Sequence, residues 1–228
     1  MTSDSRKITV FAVVVVLLLA VGLGVSVYYK KKQRELRNVV AVLLKDAGSR
    51  MRDALGIEAA PPTMDRARFL KQVEAHAATA ERNYLALRRL DSAWDRALVS
   101  AADDYLLTSR EILKRQAASH RHRRLLTESA LALREHMRVD NRTGAWVTEA
   151  VKLKERAEKD YRDYRIAVGA YAKLLDEFPA SQEKIARYVQ PTLIIENTAI
   201  NNARHGAREI EKQATTQIEQ LRQMHAAR

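Results

Sequence analysis

The residues best suited to chemistry in this sequence are its histidines: His76, His120, His122, His136, His205 and His225. Imidazole binds metals and carries protons near neutral pH. Two helical side chains reach the same ion when they stand at i, i+3 or i+4 and share a face. His120 and His122 are two residues apart and point to different faces, and no Glu-x-x-His spacing of the di-iron bundle kind occurs. The chain has no cysteine, which removes disulfides, thiolate metal sites and cysteine nucleophiles. No Gly-rich phosphate loop, Ser-His-Asp pattern or paired-carboxylate site is legible. The expectation is a protein without metal, cofactor or catalytic residues, and not an enzyme.

Charge is the second chemical resource. Forty basic residues against 28 acidic ones give a net charge of +12. The cluster Lys30, Lys31, Lys32, Arg34 and Arg37 suits anionic lipid headgroups. The densest run elsewhere is Arg110, Lys114, Arg115, Arg121, Arg123 and Arg124, which could grip phosphates of lipid or nucleic acid. Acidic residues are interspersed almost throughout, so this run reads as a solvated helix surface, and nucleic acid is not an expected partner. Tyr161, Tyr164, Tyr171 and Phe178 could stack on bases, yet their heptad-like spacing assigns them to a core. Trp94 and Trp146 likewise read as core or bundle-end anchors.

The elements that hold these residues are helices. Only 7 Gly and 4 Pro occur in 228 residues, with 46% hydrophobic and 30% charged residues. Such a chain is poor in turns and rich in helix formers, so the expected class is all-α. From Ile8 to Tyr29 there is no charge. Roughly 20 apolar residues span a bilayer as a helix, so 8–29 is the expected transmembrane helix, behind a short tail 1–7. The run is too long for the apolar region of a cleaved signal peptide and ends in Tyr-Tyr-Lys-Lys-Lys, which identifies a signal-anchor. More Lys and Arg follow the span than precede it, which orients the body towards the cytoplasm. Ala20 with Gly24, and Gly22 with Ser26, form small-xxx-small pairs through which two copies of the span could associate.

Beyond the span, residues 30–63 are expected to form a basic juxtamembrane helix and a Pro61-Pro62 linker, with Thr63 capping the next helix. From Met64 to Val139 there is neither Gly nor Pro, and an apolar stripe runs through Leu70, Val73, Ala77, Tyr84, Leu87, Trp94, Leu98, Tyr105, Ile112, Leu126 and Leu133. Asp91 interrupts the stripe, and Arg115, Ser119 and His122 spoil it again. The expected break lies at Ser119–Arg124. Asp140–Gly144 reads as a turn. The next helix is expected from Ala145 to Phe178, stopped by Pro179, with Tyr164, Val168, Tyr171 and Leu175 packed against the Trp94–Tyr105 segment. A last helix, in the segment 181–228, should start near Ser181 and break before Pro191. Its seam is Ile200, Ala203, Ala207, Ile210, Ala214, Ile218 and Leu221. Antiparallel packing of these helices gives a long-helix bundle or coiled-coil-like domain over 64–180.

The run from Tyr84 through Leu87, Arg88 and Arg89 to Ala93-Trp94, then Tyr105-Leu106-Leu107, resembles the LemA family. The family pattern continues with a His, where this chain has His120 and His122, and with Tyr-rich pairs leading to a Phe-Pro, here Tyr164, Tyr171 and Phe178-Pro179. The resemblance covers about residues 83–179. Ser109-Arg110 stands where the family has Pro-Asn, and the final helix does not match. The resemblance implies a bacterial, membrane-anchored antiparallel helical bundle, and it brings no catalytic residues.

Together these readings predict a single-pass protein of the bacterial cytoplasmic or an internal membrane. Its expected role is a non-enzymatic scaffold or adaptor that recruits protein partners or organises membrane in envelope or internal membrane biogenesis. The other reading is a sensory input module, although no output domain or second span is visible.

Overall fold

The computed structural model describes residues 3–58, 66–139, 143–190 and 195–226. Side chains of residues 3–20, 57–58, 66 and 224–226 lie outside the description. So do Pro61-Pro62, Thr63, the 140–142 part of the expected turn, Pro191 and the side chains of Ala20 and His225. The described chain is all-helical: α1 (Ser3–Glu58), α2 (Arg66–Arg88), a 3-10 turn (Ser92–Trp94), α3 (Arg96–Arg138), α4 (Gly144–Ala186) and α5 (Asn197–Ala226). Among the described residues no helix is long and apolar enough to cross a membrane. Most of the expected span, residues 8–20, lies outside the described side chains.

The helices form an antiparallel bundle around one core. Tyr105 of α3 lies against Phe178 of α4, with ring centroids 5.4 Å apart. Further along the same pair, His136 stacks on Trp146 at 4.9 Å. Asp176 of α4 pairs with Arg208 of α5, and Glu158 pairs with Arg222, so α4 and α5 are also antiparallel. On the other flank, Glu81 and Glu74 of α2 pair with Arg110 and Arg121 of α3. Helix α1 packs against α2, α3 and α5. It buries Leu36, Val40, Leu44, Ala47, Met51 and Ala54, one stripe at helical spacing. Gln116 Nε2 donates to the Ala54 carbonyl oxygen at 2.9 Å, so α1 ends about halfway along α3. The bundle is thus thicker near the start of α3 and reduced to α3, α4 and α5 at the far end.

The expected break within 64–139 is misplaced. Helix α3 runs unbroken through Ser119–Arg124, and the chain turns instead at Arg89–Asp95. At Ser119 the hydroxyl donates to the Gln116 carbonyl oxygen at 2.8 Å, so a polar residue on the buried face is satisfied without leaving the helix. At the real corner, Asp91 accepts from the Ala93 amide at 2.9 Å and Asp95 accepts from the Leu98 amide at 3.2 Å. Two Asp side chains four residues apart offer the backbone local partners that compete with the helix, and the second caps α3.

Pro179 does not end its helix either, since α4 continues to Ala186. Proline in a helix interior costs about 3 kcal/mol through the lost amide and the ring clash. Phe178 before it and Gln182 and Ile185 after it are buried, and their packing outweighs that cost. The last helix accordingly starts at Asn197 rather than near Ser181.

The aromatic stripe faces inward as expected: Tyr164, Val168, Tyr171, Leu175 and Phe178 are all buried. Its partner segment is corrected by the register. Phe178 meets Tyr105, whereas Tyr164 lines a cleft with Leu126 and Thr127, well beyond Trp94–Tyr105. Phe178→Ala should lower stability by about 3–5 kcal/mol. Ile166→Ala, at a side chain 64% exposed, should change it by under about 0.5 kcal/mol. Chemical denaturation followed by helical circular dichroism distinguishes the two.

Candidate functional site

Among the described residues no group of three His, Cys, Asp or Glu could hold a metal ion. His136 serves the far end of the bundle. Its Nε2 lies 3.0 Å from the Trp146 carbonyl oxygen, which places the proton on Nε2, and Trp146 Nε1 donates to the His136 carbonyl oxygen at 3.3 Å. With Thr143 capping α4 through the Trp146 amide, this latch closes the α3–α4 connection. His120 lies against the Phe69 ring at 4.6 Å, and its Nε2 has no hydrogen-bond partner among the described residues. Burial, with Arg123 adding to it, pushes the His120 imidazole down to about 4.

The dense basic run is largely occupied. Arg110 lies over the Tyr84 ring at 4.8 Å and pairs with Glu81 and Glu111. Lys114 shares Glu81, Arg121 takes Glu74, and Arg124 takes Glu128. Exposed pairs of this kind contribute at most about 1 kcal/mol each. Their effect is to hold helix register and to neutralise the surface a polyanion would need.

The cluster after the expected span divides. Lys32 pairs with Glu35 at 2.9 Å, and Arg37 pairs with Asp95 at 3.0 Å. Lys30, Lys31 and Arg34 are exposed and carry no ion pair among the described residues. This stretch of α1 is a docking face. Gln33 Nε2 also donates to Asp95, and the Tyr29 hydroxyl donates to the Trp94 carbonyl oxygen at 3.1 Å. The Trp94 ring meets Tyr28 and Tyr29 at centroid distances of 5.8 and 5.5 Å. Burial alone would raise the Asp95 carboxyl, but the Leu98 amide, Arg37 and Gln33 together hold it below its ordinary value. Asp95 therefore joins helix cap and interhelical contact in one side chain. The sequence marked Arg37 and Trp94 separately, and only the fold sets them at one corner, Arg37 on Asp95 and Trp94 on Tyr28 and Tyr29.

Two features had no sequence signal. Gln182 uses both ends of its amide on Ile195: Nε2 donates to the carbonyl oxygen at 3.2 Å and Oε1 accepts from the amide at 2.7 Å. This buried clamp fixes the entry to α5. A cleft of about 410 Å³ lies among α3, α4 and α5, with Leu126, Ala130, Tyr161, Tyr164 and Ala214 inside and Arg123 and Arg134 among its lining. Of the small-residue pairs, Gly22 and Gly24 stand in open space, where an added methyl group would meet nothing within 4 Å, and Ser26 is exposed.

His120 gives the fold a defined acid sensitivity. Its ordinary value of 6.5 applies to the unfolded chain and about 4 to the folded one. The unfolded state binds the proton first, so stability is complete above about pH 6.5 and falls as pH drops towards about 4. His76 is also lowered, by burial and then Arg50, against opposing Asp53 and Asp46, and acts in the same direction. The urea midpoint should fall between about pH 7.5 and about pH 4.5, and His120→Leu should reduce that fall.

Comparison of the chain with protein-family models, with curated proteins and with solved structures returns no match.

Proposed function

We infer that this chain is a non-enzymatic, single-pass membrane scaffold, whose helical body recruits partners or organises membrane at the bacterial cytoplasmic or an internal membrane. One observation carries the reading: the change of environment along the single helix α1. Val21, Leu23, Val25 and Val27 are each more than 60% exposed, whereas Leu36, Val40 and Leu44 are buried in the bundle. Between them stand Tyr28, Tyr29 and the basic cluster. A bare apolar helix with aromatic and then cationic residues at one end suits a bilayer core, its interface and its headgroups in that order. In water the same surface would be an association hazard.

Lys and Arg following the span favour a cytoplasmic body. The open face at Gly22, Gly24 and Ser26 suits self-association of the span. The LemA resemblance supports the same layout of one span before an antiparallel bundle. The scattered histidines and the neutralised basic run favour scaffolding over catalysis.

The protein should stay with membranes through carbonate extraction at high pH, and release into the soluble fraction would overturn the anchor. Protease added to intact spheroplasts should leave the body uncut, and its digestion would reverse the orientation.

A further inference from the structure

The bundle meets α1 where its bare stretch ends, and the element that meets it is the α2–α3 corner. Trp94 packs on both Tyr28 and Tyr29, and Asp95 holds Gln33 and Arg37 one and two turns further on. Around this contact Lys30, Lys31 and Arg34 of α1 and Arg89 and Arg96 of the corner are exposed. None of these five has an ion pair among the described residues, while neighbouring Arg88 is tied to Asp103. The opposing carboxylates are few: Glu35 is paired with Lys32, Asp95 with Arg37, and Asp91 is engaged with the Ala93 amide.

We propose that the corner 89–96 is a second membrane contact, in which Trp94 lies in the interfacial layer beside Tyr28 and Tyr29 while Arg89 and Arg96 join Lys30, Lys31 and Arg34 on anionic lipid headgroups. The proposal rests on α1 being a membrane anchor. Amphipathic aromatic rings favour the headgroup level, and each Lys or Arg near an anionic surface adds to the attraction. The occupant follows from charge complementarity and from continuity with the apolar stretch of α1 that ends at Tyr29. The consequence is a fixed posture. One contact through α1 leaves the body free to tilt, and a second through the corner stands it up. Helix α3, 43 residues and about 65 Å long, then carries its far end away from the lipid.

The chain contains two tryptophans, Trp94 at the corner and Trp146 at the opposite end of the bundle, so each reports one end. The full chain is reconstituted in vesicles of phosphatidylglycerol and phosphatidylcholine, with the phosphatidylcholine brominated on its acyl chains. Trp146→Phe leaves Trp94 as the reporter, with Trp146→Tyr as a second version should the His136 stack require a polar ring, and Trp94→Phe leaves Trp146. Trp94 should lose most of its emission to the brominated lipid, and Trp146 should lose none. Arg89→Glu combined with Arg96→Glu should reduce the quenching of Trp94 while the protein still floats with the vesicles, and unchanged quenching would remove both arginines from the contact. Unquenched Trp94 in protein that floats with the vesicles would overturn the docked corner and leave the anchor standing. Protein that does not float with the vesicles would overturn both.

Discussion

The structure depends on the burial of one stripe of α4 against α3. Tyr164, Val168, Tyr171, Leu175 and Phe178 form a continuous apolar face, and the Tyr105–Phe178 contact sets the register of the pair. Burial stabilises by about 25 cal/mol per Å² of apolar surface removed from water, and large aromatic side chains contribute the most per residue. With that pair in place, α2 folds back along α3, α5 along α4, and α1 closes the side between them. The same burial carries α4 across Pro179, because ending the helix there would expose Ile185 and undo the Gln182 clamp on Ile195.

Polar groups then select one arrangement among those the apolar stripes allow. The ion pairs along α2–α3 and α4–α5 are exposed and individually weak, but each is correctly placed only in one antiparallel register. Buried polar contacts act more strongly because an unpaired partner is costly to leave unsolvated. Gln116 on the Ala54 carbonyl and Gln182 on Ile195 fix where α1 ends and where α5 begins. Asp95 does the same at the corner. Its carboxylate caps α3 and holds Arg37, so the start of the hairpin and its attachment to α1 are set together.

This coupling gives the basic cluster after Tyr29 two roles. Lys32 and Arg37 are engaged in ion pairs, and Lys30, Lys31 and Arg34 are exposed without one among the described residues. Helix α1 is continuous from the apolar stretch into the core, so nothing flexible separates the proposed anchor from the bundle. Any motion of the anchor would be transmitted to the body as a rigid element.

Local pattern was enough to settle the helical class and most of the inward faces, while Ile210 of the α5 seam and Leu70, Leu133 and Tyr161 of the other stripes are only half-buried. A period of 3.6 residues is a local property, and side chains at that spacing share a face whatever they meet. Val73, Ala77, Leu87, Leu98, Tyr105 and Ile112 are buried as their spacing requires, and so are Ile200, Ala203, Ala207, Ala214, Ile218 and Leu221. Where helices end and what they touch came from packing in three dimensions. Pro179 is a stop signal that packing overrides, and Ser119 reads as a defect until its hydroxyl finds the Gln116 carbonyl. Asp91 and Asp95 are common residues whose capping role emerges only when the chain must turn there to bury Leu87 and Leu98 in one shared core. The contacts of Arg37 with Asp95 and of Tyr29 with Trp94 join residues 58 and 65 positions apart, and no local pattern encodes a contact at that separation. Periodicity states which face is apolar, but partner and register come from the competition among all apolar faces for one shared core.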